Sequence, residues 1–262
     1  MTTPKNEIFF LGNGPLAEAT LAVLKPHFNI LFHARTKEDL AELIRLKTTH
    51  PSAPAVLASF GVIIKQDLLD LFESTGGILN IHPSLLPKYR GPSPIESALL
   101  NGDTTFGVSI MKLAKAMDAG PIYYQTTLDG KNLTKSELYT ELATLGATWL
   151  IKNLFNLPTP VPQDDNSATY CQKLDRSMSP LDPKSKTAPE LYNQIRALAT
   201  WPKSTYTFYN KECIIHSAHI SDHSESPLSL LCKDGKYLTI DELQPAGKKS
   251  MPAAAFLNGY AK

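Results

Sequence analysis

Glu7-Ile8-Phe9-Phe10-Leu11-Gly12-Asn13-Gly14-Pro15-Leu16-Ala17 begins as a short apolar run and breaks at two glycines one residue apart. The run reads as a buried strand and the glycines as a tight turn. Pro15 reads as a first-turn helix residue, because its fixed φ suits that position and its missing N–H is not needed there. Strand, glycine turn and helix in that order open a βαβ unit. Outward from this stretch, Ile30–Phe32, Ala55–Ser59 and Ile78–His82 repeat the short apolar run, and Gly107–Met111 and Ile122–Thr126 add two more. After the second run, Thr36 precedes a helical segment, Lys37–Thr48, with Asp39 at the reciprocal capping position and Leu40, Leu43 and Ile44 on one stripe. A longer helix is predicted from Lys135 to Asn156, where Leu138, Leu142, Leu145, Trp149 and Leu150 share a face.

Past Leu157 the texture changes. Pro158, Pro160, Pro162, Pro180, Pro183 and Pro189 punctuate a connector that holds one strand-like piece, Thr169–Leu174. A helix over Pro189–Ala199 follows. Short β runs at Thr205–Tyr209, Cys213–Ala218, Ser229–Cys232 and Tyr237–Leu243 then suggest a small all-β barrel or sandwich of roughly 60 residues. The fold class expected is α/β, a Rossmann-like open, mostly parallel sheet with flanking helices, plus a small C-terminal β unit. The expected divisions are 1–176 for the larger domain, 177–203 for a linker and helix, and 204–262 for the C-terminal domain.

Composition narrows the classes. The 262 residues are 42% apolar and 19% charged, which excludes wholesale disorder. No apolar run reaches the ~18 residues that a membrane span needs. Ile8–Leu11, flanked by Glu7 and Gly12, is too short for a signal-peptide core, and no Arg- and Ser-rich leader precedes Glu7, so a cytoplasmic protein is expected. Cys171, Cys213 and Cys232 form no CxxC pair and read as reduced thiols. A net charge of +1 advertises no global attraction to nucleic acid.

Two stretches could carry chemistry. Gly12 to Ala17 matches GxGxxA, the dinucleotide turn, yet His33-Ala34-Arg35 stands where a ribose-binding acid belongs. Arg35 could meet a phosphate, which leaves an NADP-binding oxidoreductase as a distant alternative. Asn80 to Pro94 says more. Asn80 and His82, two apart at the end of a strand, project from one face while Leu79 and Ile81 point to the other. Ligand crevices in open α/β sheets lie outside such carboxyl ends. Asp118, in Ala116-Met117-Asp118-Ala119-Gly120-Pro121, sits in a turn that can return a carboxylate over the same crevice, orient the imidazole and favour its charged form. An Asn amide and a cationic His aimed at one point stabilise an oxyanion, and a nearby Asp can manage protons. Ser84 lacks a nucleophile-elbow context, and no HxH, HxxxH or CxxC lies near. Direct acyl transfer to an amine, without metal, is the reaction class expected.

At these residues the chain resembles the folate-dependent formyltransferases, and among them the branch that formylates methionyl-tRNA. Ser84-Leu85-Leu86-Pro87-Lys88-Tyr89-Arg90-Gly91 is similar to the family's SLLPxxRG signature, with Asn-x-His before it and Pro94-Ile95 after it. The resemblance implies that Asn80, His82 and Asp118 are the catalytic set. It also implies that Ser84, Leu85, Leu86 and Pro87, with Phe60, Gly61, Val62, Ile63 and Ile64, contact 10-formyltetrahydrofolate. Thr169–Leu174, Ile195–Pro202 and Leu243–Met251 each resemble segments of the tRNA-formylating members rather than of sugar-nucleotide N-formyltransferases, the nearer alternative. The C-terminal unit is accordingly expected to be an OB-like β-barrel that helps hold tRNA. From Ser177 to Lys262, ten Lys and Arg stand against eight Asp and Glu. Arg35, Lys248 and Lys249 are the candidate tRNA contacts, and a monomer is expected. Two departures stand out. The family's long basic loop after the second strand is replaced by one compact helix between Arg35 and Pro54, so discrimination of the acceptor stem should be weak or rebuilt elsewhere. Gly12-Asn13-Gly14-Pro15-Leu16 replaces the family's Gly-Thr-Pro-Asp-Phe turn, which leaves the methionine pocket unassigned.

Overall fold

The structure is a computed structural model that describes residues 6–131 and 133–261. The outermost ends of the expected domains, residues 1–5 and 262, lie outside the described residues. Two compact units emerge. The first comprises residues 1–95 and 105–172, the second residues 96–104 and 173–262.

In the first unit, six strands form one sheet in the order β2-β1-β3-β4-β5-β6. These are β1 (Glu7–Gly12), β2 (Asn29–Ala34), β3 (Ala55–Ala58), β4 (Ile78–His82), β5 (Thr105–Lys112) and β6 (Ile122–Asp129). The first four run parallel, and β5 and β6 close one side antiparallel, so the sheet is mixed with a parallel core. The helices are α1 (Pro15–Leu24), α2 (Leu40–Thr49), α3 (Gln66–Leu71), α4 (Pro94–Leu100), which runs on into the stretch 96–104 of the second unit, and α5 (Lys135–Asn153). The second helix starts three residues later than its capping pattern suggests. Asp39 accepts from the backbone N–H groups of both Arg35 and Thr36, and holds 35–39 as a turn. Thr134 and Glu137 make a reciprocal cap on α5. The buried face of α5 is centred on Ala143, Gly146 and Ala147, with Leu138, Leu142 and Leu150, while Leu145 and Trp149 flank it. A Cβ on Gly146 would come within 2.9 Å of Ile81 Cγ2, so glycine lets the helix lie close on β4.

The second unit carries α6 (Ala188–Leu198), β7 (Ser204–Phe208), β8 (Lys211–Ser221), β9 (Ser229–Leu231), β10 (Tyr237–Pro245), β11 (Met251–Pro252) and α7 (Ala253–Tyr260). The expected OB-like barrel takes the form of an antiparallel half-barrel. Its path is β11-β10-β8-β7, with β9 also on β10, and register shifts near Glu242 bend β10. Its core joins Leu191 and Ile195 of α6 to Ile215, Leu238 and Ile240 of the sheet and Phe256 of α7. The strand-like piece at Thr169–Leu174 is no strand. A single bridge between Arg90 and Tyr170 is formed, because its neighbour is a loop rather than an extended edge. Among the described residues no helix is long and apolar enough to cross a membrane.

Lys47 shows how tightly the α2 side is packed. Its ammonium lies over the Phe72 ring and donates to the carbonyls of Pro51 (2.7 Å) and Ala53 (2.9 Å). Burial pulls its pKa down to about 8. The folded chain therefore releases this proton before the unfolded chain does, and this group favours folding increasingly as pH climbs from about 8 towards the ordinary lysine value. Urea unfolding at pH about 7.5 and about 10 should show a rise in stability that Lys47→Met reduces. Identical pH slopes in the two proteins would refute the assignment.

Candidate active site

β4 lies between β3 and β5, and its alternation sends Leu79 and Ile81 into the core beneath α5 and Asn80 and His82 to the opposite face. Both polar side chains are buried. His82 Nε2 lies 2.9 Å from the Tyr89 carbonyl, which can only accept, so Nε2 carries a proton and the ring is fixed by the loop that follows the strand. The other ring nitrogen, Nδ1, is 3.7 Å from Asp118 Oδ1. Asn80 Nδ2 donates to that same oxygen at 3.4 Å. The second carboxylate oxygen of Asp118 accepts from the Gly91 N–H at 2.8 Å. All three residues singled out in the sequence therefore meet. The expectation about who orients the imidazole needs refining: the Tyr89 carbonyl does so, and Asp118 faces the edge left over.

Asp118 reaches this place from a turn in which its own φ is 49°, a left-handed conformation that aspartate tolerates better than most residues. Two residues on, a Cβ at Gly120 would lie 1.8 Å from the Lys112 carbonyl oxygen. The turn thus closes only with glycine there.

Chemically, two donors converge about Asp118 Oδ1. Asn80 has an amide hydrogen to spare, and Nδ1 of His82 donates when the ring is an imidazolium, since Nε2–H is already engaged. Donors of this kind, where they are not spent on the carboxylate, are the groups that can stabilise an oxyanion.

The other predicted contacts distribute unevenly. Parallel β3 and β4 send the loops 59–65 and 83–91 out of the same edge of the sheet. In the first, Phe60 and Ile64 are buried, Val62 is half-buried, Gly61 has φ 67°, and Ile63 is 90% exposed. In the second, the Ser84 hydroxyl is committed to the Lys88 carbonyl at 2.6 Å, and Leu86 is buried. Leu85 and Pro87 keep partly open surface. Ser109 and Gln125, paired across β5 and β6, pin this loop. Ser109 Oγ donates to the Ser84 carbonyl and accepts from the Leu86 N–H, and Gln125 Nε2 donates to the Leu86 carbonyl. Sequence reading missed both: Ser109 is a polar residue buried within a strand, whereas Gln125 is exposed on β6, where a polar residue carries no signal. It also missed Gln163, whose Pro- and Asp-rich surroundings gave no sign of a role. Arg35 is exposed beside His33, with Nε 3.3 Å from His33 Nδ1. In the second unit Lys248 and Lys249 are exposed, and the turn before them, Pro245–Gly247, lines a groove of about 420 Å³ with Arg176, Thr205 and Glu212.

Residues 19–154 match the formyl transferase family and residues 177–261 match the formyl transferase C-terminal domain. The chain belongs to the formyl transferase family. It is 32% identical, over 96% of its own length and 84% of the relative's, to a methionyl-tRNA formyltransferase of Borrelia hermsii (strain HS1 / DAH). Its fold is similar to that of the methionyl-tRNA formyltransferase from Clostridium thermocellum, with a TM-score of 0.66 at 19% identity over 84% of this chain and 95% of that one. It is similar too to an N-formyltransferase from Helicobacter canadensis in complex with folinic acid and dTDP-3-aminofucose, with a TM-score of 0.65 at 19% identity over 93% of this chain and 100% of that one.

Gly120→Ala should cost about 1–3 kcal/mol of stability, since the added methyl meets backbone that has no room to move. Chemical denaturation checks it, and a variant as stable as its parent would show that the turn can relax.

Proposed function

We propose that this chain transfers the formyl group of 10-formyltetrahydrofolate to the free amine of methionyl-tRNA, the initiator charge of translation. The observation that carries the reading is the convergence of Asn80 and His82 donors beside the Asp118 carboxylate, in a chain that matches both formyl transferase models. Likeness of fold does not separate acceptors, because tRNA- and sugar-modifying enzymes score alike. The sequence favours tRNA, through 32% identity to a methionyl-tRNA formyltransferase over nearly the whole chain.

In this reading a C–N bond forms between the amine and the formyl carbon, the bond to the folate nitrogen breaks, and one proton passes from amine to folate. Asn80 Nδ2 and His82 Nδ1 hold the negative charge that develops on the formyl oxygen. Asp118 keeps the imidazolium at their side and serves, through water, as the carrier of the proton. Folate would lie across the edge shared by the loops 59–65 and 83–91. The exposed Ile63 and the open faces of Leu85 and Pro87 offer apolar surface to a flat ring. The residues present fit such a donor; among the described residues no group of three or more His, Cys, Asp or Glu side chains is placed to hold a metal ion. Arg35, Lys248 and Lys249 would meet tRNA phosphates, and the chain would act in the cytoplasm as a monomer.

Two measurements test this. Offered methionyl-tRNA and an amino-sugar nucleotide together with the folate donor, the protein should formylate the tRNA; Asn80→Ala and His82→Ala should each lower turnover by about 100- to 1,000-fold while still binding folate. Formylation of the sugar alone would move the protein to the other branch, and near-parental turnover in either variant would remove that residue from the charge-stabilising role. Separately, removal of both lysines at 248 and 249 should make the slope of log affinity for tRNA against log salt shallower by about one to two. An unchanged slope excludes them as phosphate contacts.

A further inference from the structure

Beyond the first family match, residues 155–172 of the first unit double back onto its candidate site. Val161 exchanges both backbone hydrogen bonds with Ile122 at the start of β6. Two residues later the Gln163 carboxamide is fully engaged. Its Nε2 donates to the carbonyls of Asp118 (2.8 Å) and Gly120 (2.7 Å), and its Oε1 accepts from Arg90 Nε (3.0 Å) and Nη2 (2.8 Å). Arg90 is only 2% exposed, and its charge is met by Asp165, two residues beyond Gln163, at 2.7 Å. The segment then runs along the loop after β4. Thr169 takes the Tyr89 and Arg90 N–H groups and gives its own to the Pro87 carbonyl, and the Cys171 N–H goes to the Arg90 carbonyl.

Each attachment bears on the site. The Tyr89 carbonyl fixes His82, the Gly91 N–H holds Asp118, and the Asp118 turn has a left-handed residue at its centre. The segment ties both loops, and Gln163 joins one to the other, since its two ends bond the Asp118–Gly120 carbonyls and Arg90. Arg90 also dictates which way the carboxamide faces: a guanidinium offers only donors, so the amide oxygen must turn to it and the NH2 to the carbonyls.

We propose that Gln163 is a positioning residue for formyl transfer, acting through the backbone of the Asp118 turn to hold that carboxylate at the Asn80–His82 pair. The inference rests on the functional reading above. Gln163→Glu keeps an acceptor for Arg90 but sets an oxygen against two carbonyl oxygens, whereas Gln163→Met removes every polar contact.

Both variants are tested in the full chain. Expected in at least the Gln163→Glu protein is a folded chain that binds 5-formyltetrahydrofolate within about threefold of the parent and keeps its KM for the donor, with kcat lower by about 10- to 100-fold, the penalty of a displaced reacting geometry. Amide hydrogen exchange should quicken by about tenfold in 114–121 and stay unchanged in β4. A kcat within twofold of the parent in a folded variant overturns the proposal, and so does a lower kcat with unchanged exchange in 114–121. Failure of both variants to fold makes the role purely structural and overturns it too. A parent that forms no formylmethionyl-tRNA sinks the functional reading instead, and the exchange data then decide by themselves whether Gln163 holds the turn.

Discussion

One carboxylate organises the first unit's site. Asp118 lies at the junction of a strand end and two loops, taking the Asn80 amide on one oxygen and the Gly91 N–H on the other, with His82 Nδ1 at 3.7 Å. The Gly91 bond, at 2.8 Å to a carboxylate, is of the stronger, charge-assisted kind and fixes where the loop can stand. The sheet supplies the first partner, the signature loop the second. A site assembled in this way depends on backbone placement as much as on side-chain identity, which is why Gly120 and the left-handed turn at Asp118 belong to the same device.

The surrounding network is built so that its buried charge is answered. Burial works against the Arg90 cation, yet the hydrogen bonds it donates to Asp165 and Tyr170 outweigh that effect and hold the guanidinium firmly charged. Asp165 is 79% exposed, so the ion pair is lopsided: one partner sealed, the other in water. The cation is therefore partly satisfied by the neutral Gln163 oxygen, and a buried charge without such acceptors would be strongly destabilising. Cys171 completes the packing. Its sulfur takes the Ser93 N–H and lies 3.2 Å from the Arg90 carbonyl, and burial pushes its thiol up, so it is a structural rather than a reactive cysteine.

Much of this was legible in the sequence, for reasons that differ by residue. The strands of the first unit announced themselves as short apolar runs between turn residues, and the Asn80–His82 pair by period-two alternation at a strand end, where polar side chains have no packing purpose. Asp118 was placed by its turn. Helix α7 was invisible, because Ala253–Tyr260 is short, lacks a side-chain cap and carries only one buried residue, Phe256. The connector defeated pattern reading for another reason. Thr169 to Cys171 bonds to a loop, so its pairing leaves neither the alternation of a strand nor the stripe of a helix, and Gln163 works through backbone carbonyls that carry no residue signature. The start of α2 slipped because the Asp39 carboxylate reaches back to the N–H groups of Arg35 and Thr36 and holds 35–39 as a turn ahead of the helix.

The bonds made by Val161 and Gln163 redraw the limits of what can be called the catalytic part of the chain. A fragment ending where the first family match ends, at residue 154, would keep Asn80, His82 and Asp118 and yet lose the carboxamide and the carboxylate that occupy the Arg90 guanidinium. Arg90 would then have neither acceptor and would lose the segment that covers it. The smallest autonomous version of the first unit has to run through Gln172, whose carbonyl takes the Ser93 hydroxyl, and grafts or chimaeras that exchange C-terminal units should place their joint beyond that residue.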